Sequence, residues 1–164
     1  MGGLADIAAG LKLVVFDVDG VFTDGRIWLG SDGTEFKAFS VRDGVGVKAL
    51  LSAGLEVAII SGRSSPAVDR RMAELGVSHV VQGCNDKAPA LRQIIERLGL
   101  EPSQVAYLGD DTPDLPAMRI AALPAAVKEA PAEVRSLAVW ISSAPGGQGA
   151  VREFCEFLLG HRRP

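Results

Sequence analysis

Four polar segments interrupt the apolar stretches of the chain, in the order Asp17-Val18-Asp19-Gly20, Ser61-Gly62-Arg63, Lys87, and Gly109-Asp110-Asp111 with Asp114 beyond it. Each residue type has a place in phosphoryl transfer. A carboxylate can attack phosphorus to form an aspartyl-phosphate, splitting one difficult hydrolysis into two easier displacements, and Asp17 is the expected nucleophile. Asp19 can protonate the leaving alkoxide and then deprotonate the water that cleaves the acyl phosphate, while Gly20 lets the chain turn sharply. Nucleophile and phosphate are both anionic, and a hard divalent cation with oxygen ligands reduces that repulsion. Asp17 and Asp110 are expected to hold magnesium, with Asp19, Asp111 and Asp114 as further candidate ligands, directly or through water. Ser61 can donate a hydrogen bond to a phosphoryl oxygen, with Gly62 beside it, and Lys87 can supply fixed positive charge.

Taken singly, each segment has a plainer explanation. An Asp-x-Asp-Gly tetrapeptide is commonly a turn or a cation-binding loop, a Ser-Gly pair after a strand is commonly a turn, and a lone lysine is commonly a solvated charge. Gly109-Asp110-Asp111 can simply cap a helix. What favours chemistry is that all of them occur in order, each at the end of an apolar run or the start of a helical pattern.

Those apolar runs are the elements that must position the candidates. Residues 11–16 read as a buried parallel strand ending at Asp17, and similar runs occur at 56–60, 80–81, 105–108, 122–127 and 138–141. Between them, 45–51, 66–75, 88–98, 115–120 and 151–159 place apolar residues at helical spacing. Gly54, Gly76, Gly99 and Gly160 stand where four of these patterns stop. Alternating strands and helices predict an α/β fold, a Rossmann-like parallel sheet with helices on both faces. In such a sheet ligands bind beyond the carboxyl ends of the strands, where the polar segments fall. Residues 21–39 break the alternation and read as a β-hairpin arm with its turn at Gly30-Ser31-Asp32-Gly33.

The candidates then match a known pattern. Asp17 to Gly20, Ser61, Lys87 and Gly109 to Asp114 resemble the four ordered motifs of the haloacid dehalogenase superfamily, over nearly the whole chain. Val18 to Gly25, Arg42-Asp43-Gly44, Ser61-Gly62-Arg63, Gln82-Gly83 and Gly146 to Glu153 resemble the branch that hydrolyses phosphorylated eight-carbon 2-keto-3-deoxy sugar acids for lipopolysaccharide. Val45 and Ser61 depart from that branch, which commonly carries an aromatic residue and threonine there. The resemblance implies a magnesium-dependent phosphatase in which Arg42 and Arg63 bind the sugar acid. It also implies a homotetramer with hairpins packed at its centre and the 146–153 region near an adjacent site. The intervals from Asp19 to Ser61 and from Ser61 to Lys87 are too short for the cap domain of larger superfamily members, so neighbouring subunits are expected to complete each site.

Composition narrows the alternatives. A chain of 164 residues, 48% of them hydrophobic, fits one domain with a continuous core. The net charge of −3, with acidic and basic residues interleaved, gives no stripe for nucleic acid. No apolar run is long enough to span a bilayer and no secretory segment opens the sequence, so a cytoplasmic protein is expected. Cys84 and Cys155 are expected to be reduced. A cysteine phosphatase would need arginine six residues after its nucleophile, where Ala90 and His161 stand. The Gly44-x-Gly46-x-x-Ala49 spacing of a dinucleotide turn lacks a preceding buried strand. Two further readings are a phosphatase for a nine-carbon sugar acid and a phospho-aspartate receiver domain. The receiver has no use for Asp19 as acid and base.

Overall fold

The computed structural model describes residues 3–162. In chain order its elements are α1 (Leu4–Gly10), β1 (Leu13–Phe16), β2 (Trp28–Leu29), β3 (Glu35–Phe36), α2 (Val41–Ser52), β4 (Glu56–Ile60), α3 (Pro66–Leu75), β5 (His79–Val81), α4 (Lys87–Leu98), β6 (Val105–Gly109), α5 (Leu115–Met118), β7 (Leu123–Ala126), α6 (Ala132–Leu137), β8 (Trp140–Ile141) and α7 (Ala150–Gly160). Every residue of β1, β6 and β7 is buried. Strands covered on both faces need apolar side chains on both, which is why they read as unbroken apolar runs.

Six strands form one parallel sheet in the order β5-β4-β1-β6-β7-β8. β1 lies between β4 and β6, with Val15 in register with Ala58 on one side and Tyr107 on the other. The chain winds outward from β1 in one direction through β4 and β5, then in the other through β6, β7 and β8. The crevice beyond the carboxyl ends of β1 and β6 is therefore the topological switch point, the favoured ligand position of such sheets. The apolar side chains of sheet and helices form one continuous core. No helix among the described residues is long and apolar enough to cross a membrane.

Helix α2 starts at Val41, four residues before the periodicity indicated. Two glycines near its start hide it, and packing explains both. A Cβ on Gly44 would stand 2.4 Å from the Arg71 guanidinium, and one on Gly46 would stand 3.1 Å from the Arg152 Cα of α7. The Gly44-x-Gly46 spacing thus belongs to a helix interior packed closely on α7 and is not a dinucleotide turn. Asp43 joins the same contact: its Oδ1 accepts the Arg152 N–H at 3.0 Å, supplying the cap that Gly149, the residue before α7, has no side chain to provide. Helices α1 and α6 were not anticipated from the sequence, being too short to establish a period.

The hairpin is present with shorter strands than expected. Trp28 pairs with Phe36 and Leu29 with Glu35, antiparallel. The turn lies where Gly30 and Gly33 predicted, closed by the Gly30 N–H on the Thr34 carbonyl at 2.7 Å. Residues 18–25 form a tight loop instead of strand, with the N–H groups of Val21, Phe22 and Thr23 all directed at the Val18 carbonyl. Between Asp19 and Ser61 the chain holds only this loop, the hairpin, α2 and β4, and between Ser61 and Lys87 only α3 and β5. Neither interval contains a cap domain.

Candidate active site

The sheet ladder carries one step past β1: the Asp17 N–H donates to the Leu108 carbonyl at 3.1 Å, which fixes Asp17 at the mouth of the crevice. Asp110 follows β6, Ser61 follows β4, and Lys87 is the first residue of α4. These residues, with Asp19 and Arg63, line one cavity of about 360 Å³. Apolar runs of different length in distant parts of the sequence all end at the same edge of the sheet, and that brings the predicted segments together.

Charge is unusually buried here. Asp17 is 7% exposed, Lys87 4% and Asp114 1%. The Lys87 ammonium lies 3.0 Å from Asp17 Oδ1 and 2.7 Å from Asp114 Oδ1. Burial alone would lower its pKa, but the Asp17 and Asp114 carboxylates outweigh that and raise it, so the ammonium keeps its charge. Burial raises the Asp17 pKa above the ordinary carboxylate value, and the neighbouring Asp114 charge adds to the effect. Asp110 is raised by burial and by Asp17 beside it. Oxygens of Asp17, Asp110 and Asp114 lie within 4.8 Å of one another.

Asp114 has the fullest set of partners of the three. Its Oδ1 accepts from Lys87 and from the Tyr107 hydroxyl at 2.8 Å, and its Oδ2 accepts the N–H groups of Asp110 at 3.0 Å and Asp111 at 3.3 Å. With both oxygens engaged, it braces Lys87 and the Asp110 loop. Asp111 is exposed, and its carboxylate accepts the Thr112 N–H at 2.7 Å, capping a short 3₁₀ turn.

Gly20 is dictated by this packing. Its φ is +89°, and a Cβ on it would stand 2.0 Å from Asp110 Oδ2, so a side chain there would evict the carboxylate. Thr23, 2% exposed, holds the same loop by accepting the N–H groups of Gly20 and Gly25 at 3.2 Å each. Gly146 and Gly147 lean on the loop from the far end of the chain. The Gly147 N–H donates to the Val21 carbonyl at 2.9 Å, and a Cβ on Gly146 would stand 1.8 Å from the Gly20 carbonyl oxygen. The 146–153 stretch, expected near an adjacent site, thus also braces the loop of its own chain.

Two expectations from the sequence sit apart from the centre. Arg63 lines the cavity and bonds Glu35 Oε2 at 2.7 Å. Arg42 is exposed at the start of α2, and the structure does not bring it to the cavity. Two residues in the site gave no sequence signal. Tyr107 lies inside an apolar strand, and Lys37, which ion-pairs with Asp19, lies in an arm that reads as structural. Only the proximity of each to a motif in space marks it.

Residues 36–122 match the family model described as haloacid dehalogenase-like hydrolase. A 3-deoxy-D-manno-octulosonate 8-phosphate phosphatase of Escherichia coli K12 is 43% identical over 93% of this chain and 81% of its own. The crystal structure of the Moraxella catarrhalis enzyme of that name, in complex with magnesium, phosphate and KDO, superposes with a TM-score of 0.95. It is 47% identical and covers 96% of this chain and 91% of its own. The cobalt-bound form of the Haemophilus influenzae deoxy-D-mannose-octulosonate 8-phosphate phosphatase superposes with a TM-score of 0.92, at 38% identity over 95% of this chain and 91% of its own. Ordered motifs, sheet topology and sequence similarity agree, and the chain belongs to the haloacid dehalogenase-like hydrolases.

Proposed function

We propose that the chain is a magnesium-dependent phosphomonoester hydrolase working through an aspartyl-phosphate on Asp17, with 3-deoxy-D-manno-octulosonate 8-phosphate as its substrate. The observation that carries this reading is the convergence of Asp17, Asp19, Ser61, Lys87 and Asp110 on one cavity at the switch point of the sheet. The Asp17 carboxylate attacks phosphorus as the ester P–O bond breaks, and Asp19 delivers its proton to the departing alkoxide. Asp19 then takes a proton from water as the oxygen attacks phosphorus and the bond to Asp17 breaks. Inorganic phosphate leaves and both carboxyl groups return to their starting states. Ser61 donates to a phosphoryl oxygen, and Lys87, kept cationic by its two carboxylates, stabilises the charge on the transferring group.

The cluster offers carboxylate oxygens only, and burial, with repulsion inside the cluster adding to it, raises the pKa of both Asp17 and Asp110. That donor set suits a hard divalent cation, which when bound supplies positive charge to the phosphoryl oxygens. Asp17 and Asp110 would hold it. Asp114, engaged on both oxygens, also braces them, and Asp111, engaged by the Thr112 N–H, lines the cavity beyond the three-carboxylate cluster.

For the sugar acid, the planar guanidinium of Arg63 at the cavity matches a carboxylate in geometry and charge. Arg42 does not reach its own chain's cavity, so a part in substrate binding requires a neighbouring subunit. The exposed hairpin side chains Trp28, Leu29 and Phe36 fit the centre of a homotetramer, which would also wall the cavity. A soluble, phosphorylated substrate fits a cytoplasmic reaction.

The test is turnover of a panel of phosphomonoesters, with magnesium and with excess chelator. The eight-carbon sugar acid phosphate is expected to exceed hexose phosphates, which lack the carboxylate, in kcat/KM by about 100-fold, the scale of a charge-assisted hydrogen bond. Chelator is expected to abolish turnover. Comparable hexose phosphate turnover would refute the substrate, and full activity in chelator would refute the metal.

A further inference from the structure

Asp19 must face the cavity to act as acid and base, yet it sits in a loop beside Gly20, where little restrains a side chain. Among the described residues one side chain bonds it, the ammonium of Lys37, which follows β3. The Lys37 side chain is 0% exposed. Burying an ammonium is costly unless it is paired, and it is paired twice, with Asp19 and with Glu35 Oε1 at 3.1 Å. Glu35 in turn holds Arg63 through its other oxygen. Glu35 and Lys37 are two residues apart on an extended segment, so they project to the same side, while Phe36 between them is 60% exposed on the other. The inner side of the hairpin is thus a line of alternating charge from Asp19 through Lys37 and Glu35 to Arg63.

We propose that Lys37 is a positioning residue for the hydrolysis: it anchors the Asp19 carboxyl group at the cavity so that this group can deliver a proton to the leaving oxygen and later take one from water. Glu35 keeps Lys37 in place and ties it to Arg63. The inference rests on the reading of Asp19 as acid and base given above. It gives the hairpin a task inside its own chain, separate from any contact with another subunit.

The two half-reactions allow a test that a merely structural lysine would fail. An alkyl phosphate needs its leaving oxygen protonated, whereas 2,4-dinitrophenyl phosphate does not; both need water deprotonated afterwards. For Lys37→Met, kcat on the preferred alkyl phosphate is expected to fall about 100-fold, the usual contribution of general acid–base catalysis, with KM changed less than about 3-fold. With the dinitrophenyl ester, stopped-flow is expected to show a burst of one dinitrophenolate per active site, formed within about 5-fold of the wild-type first-turnover rate, followed by slow turnover. In an Asp19→Asn background, Lys37→Met is expected to add less than about 2-fold, because both changes remove one function. Lys37→Arg is expected to recover at least about a tenth of the wild-type rate. Lys37→Gln replaces Lys37→Met if the latter melts below the assay temperature, with the same expectations. A first turnover slowed as much as the steady state, additive losses with Asp19→Asn, or an alkyl phosphate rate within 2-fold of wild type would each overturn the proposal. Absence of turnover in the wild type would instead remove the hydrolase reading beneath it.

Discussion

At the carboxyl ends of β1 and β6 charged side chains are buried, with Asp17 at 7% exposure and Lys87 at 4%, while on the hairpin apolar side chains face solvent, with Leu29 at 71%. Each region reverses the usual partition, in opposite directions. Buried charge is tolerated at the strand ends because Lys87, Asp114 and Tyr107 partner one another and the sheet fixes where they stand. Exposed apolar surface is cheaper to carry and can be covered by association. Chemistry that needs close placement sits where the sheet fixes it, and the exposed apolar surface sits on two strands of two residues each.

The sharpest way to break the comparison is to remove the attacking group. Asp17→Asn is expected to lower kcat by about 10⁴-fold or more on every phosphomonoester, while the melting temperature stays within about 3 °C because repulsion from Asp110 is relieved. Calorimetry beside a phosphate-release assay checks both. Gly20→Ala comes next: with Asp110 displaced and a Cβ forced to positive φ, activity is expected to fall more than about 100-fold and stability by about 1–2 kcal/mol.

On the outward, apolar face of the hairpin the expected effects are smaller and of another kind. Leu29→Glu is expected to change the stability of the isolated chain by no more than the ±0.5 kcal/mol or so typical of surface changes. Light scattering is expected to report a smaller assembly, and kcat/KM for the sugar acid phosphate to fall by about 10-fold. An unchanged assembly would return the exposed apolar face to its own chain. Least of all, Tyr107→Phe is expected to cost about 1 kcal/mol for one lost buried hydrogen bond, with a few-fold loss of kcat as Lys87 and Asp110 loosen.

A further measurement separates the brace of the C-terminal loop from both regions. Glu153 accepts the N–H groups of Ser143 and Ala144 and the Ser143 hydroxyl. Burial tends to raise its pKa, but these donors outweigh burial and bring it below the ordinary 4.5. A depressed folded-state pKa contributes stability that is present above the unfolded value and lost as pH falls through the folded one. Glu153→Gln is therefore expected to melt below wild type near pH 7, with the difference shrinking below about pH 4.

The candidate site was legible to the degree that it is made of strand ends. A buried parallel strand announces itself as an apolar run, and the first polar residue after it must lie at the crevice, so Asp17, Ser61 and Asp110 could be placed from order alone. Lys37 and Tyr107 were not legible, because their importance comes from meeting Asp19 and Asp114 across space. Arg42 was legible as a charged residue in a motif but not as one outside the lining of its own chain's cavity. The start of α2 was masked by Gly44 and Gly46, whose small size answers to α7 and Arg71, not to helix propensity.

The pairing of Asp43 with Arg152 spans 109 positions, and the Gly146-Gly147 contact with the Asp19-Gly20 loop is of the same long-range kind. During synthesis β1 emerges early but cannot pair with β6 until residue 109 has left the ribosome, nor can its catalytic loop find its wall until Gly146, Gly147 and then α7 follow. Contacts so distant in sequence slow folding. Meanwhile Asp17 and Asp19 stay in a loop without its final shape. The nascent chain is therefore expected to remain inactive until α7 docks, and a chain stopped short of residue 145 to retain the apolar strands while lacking the brace that makes them a catalyst.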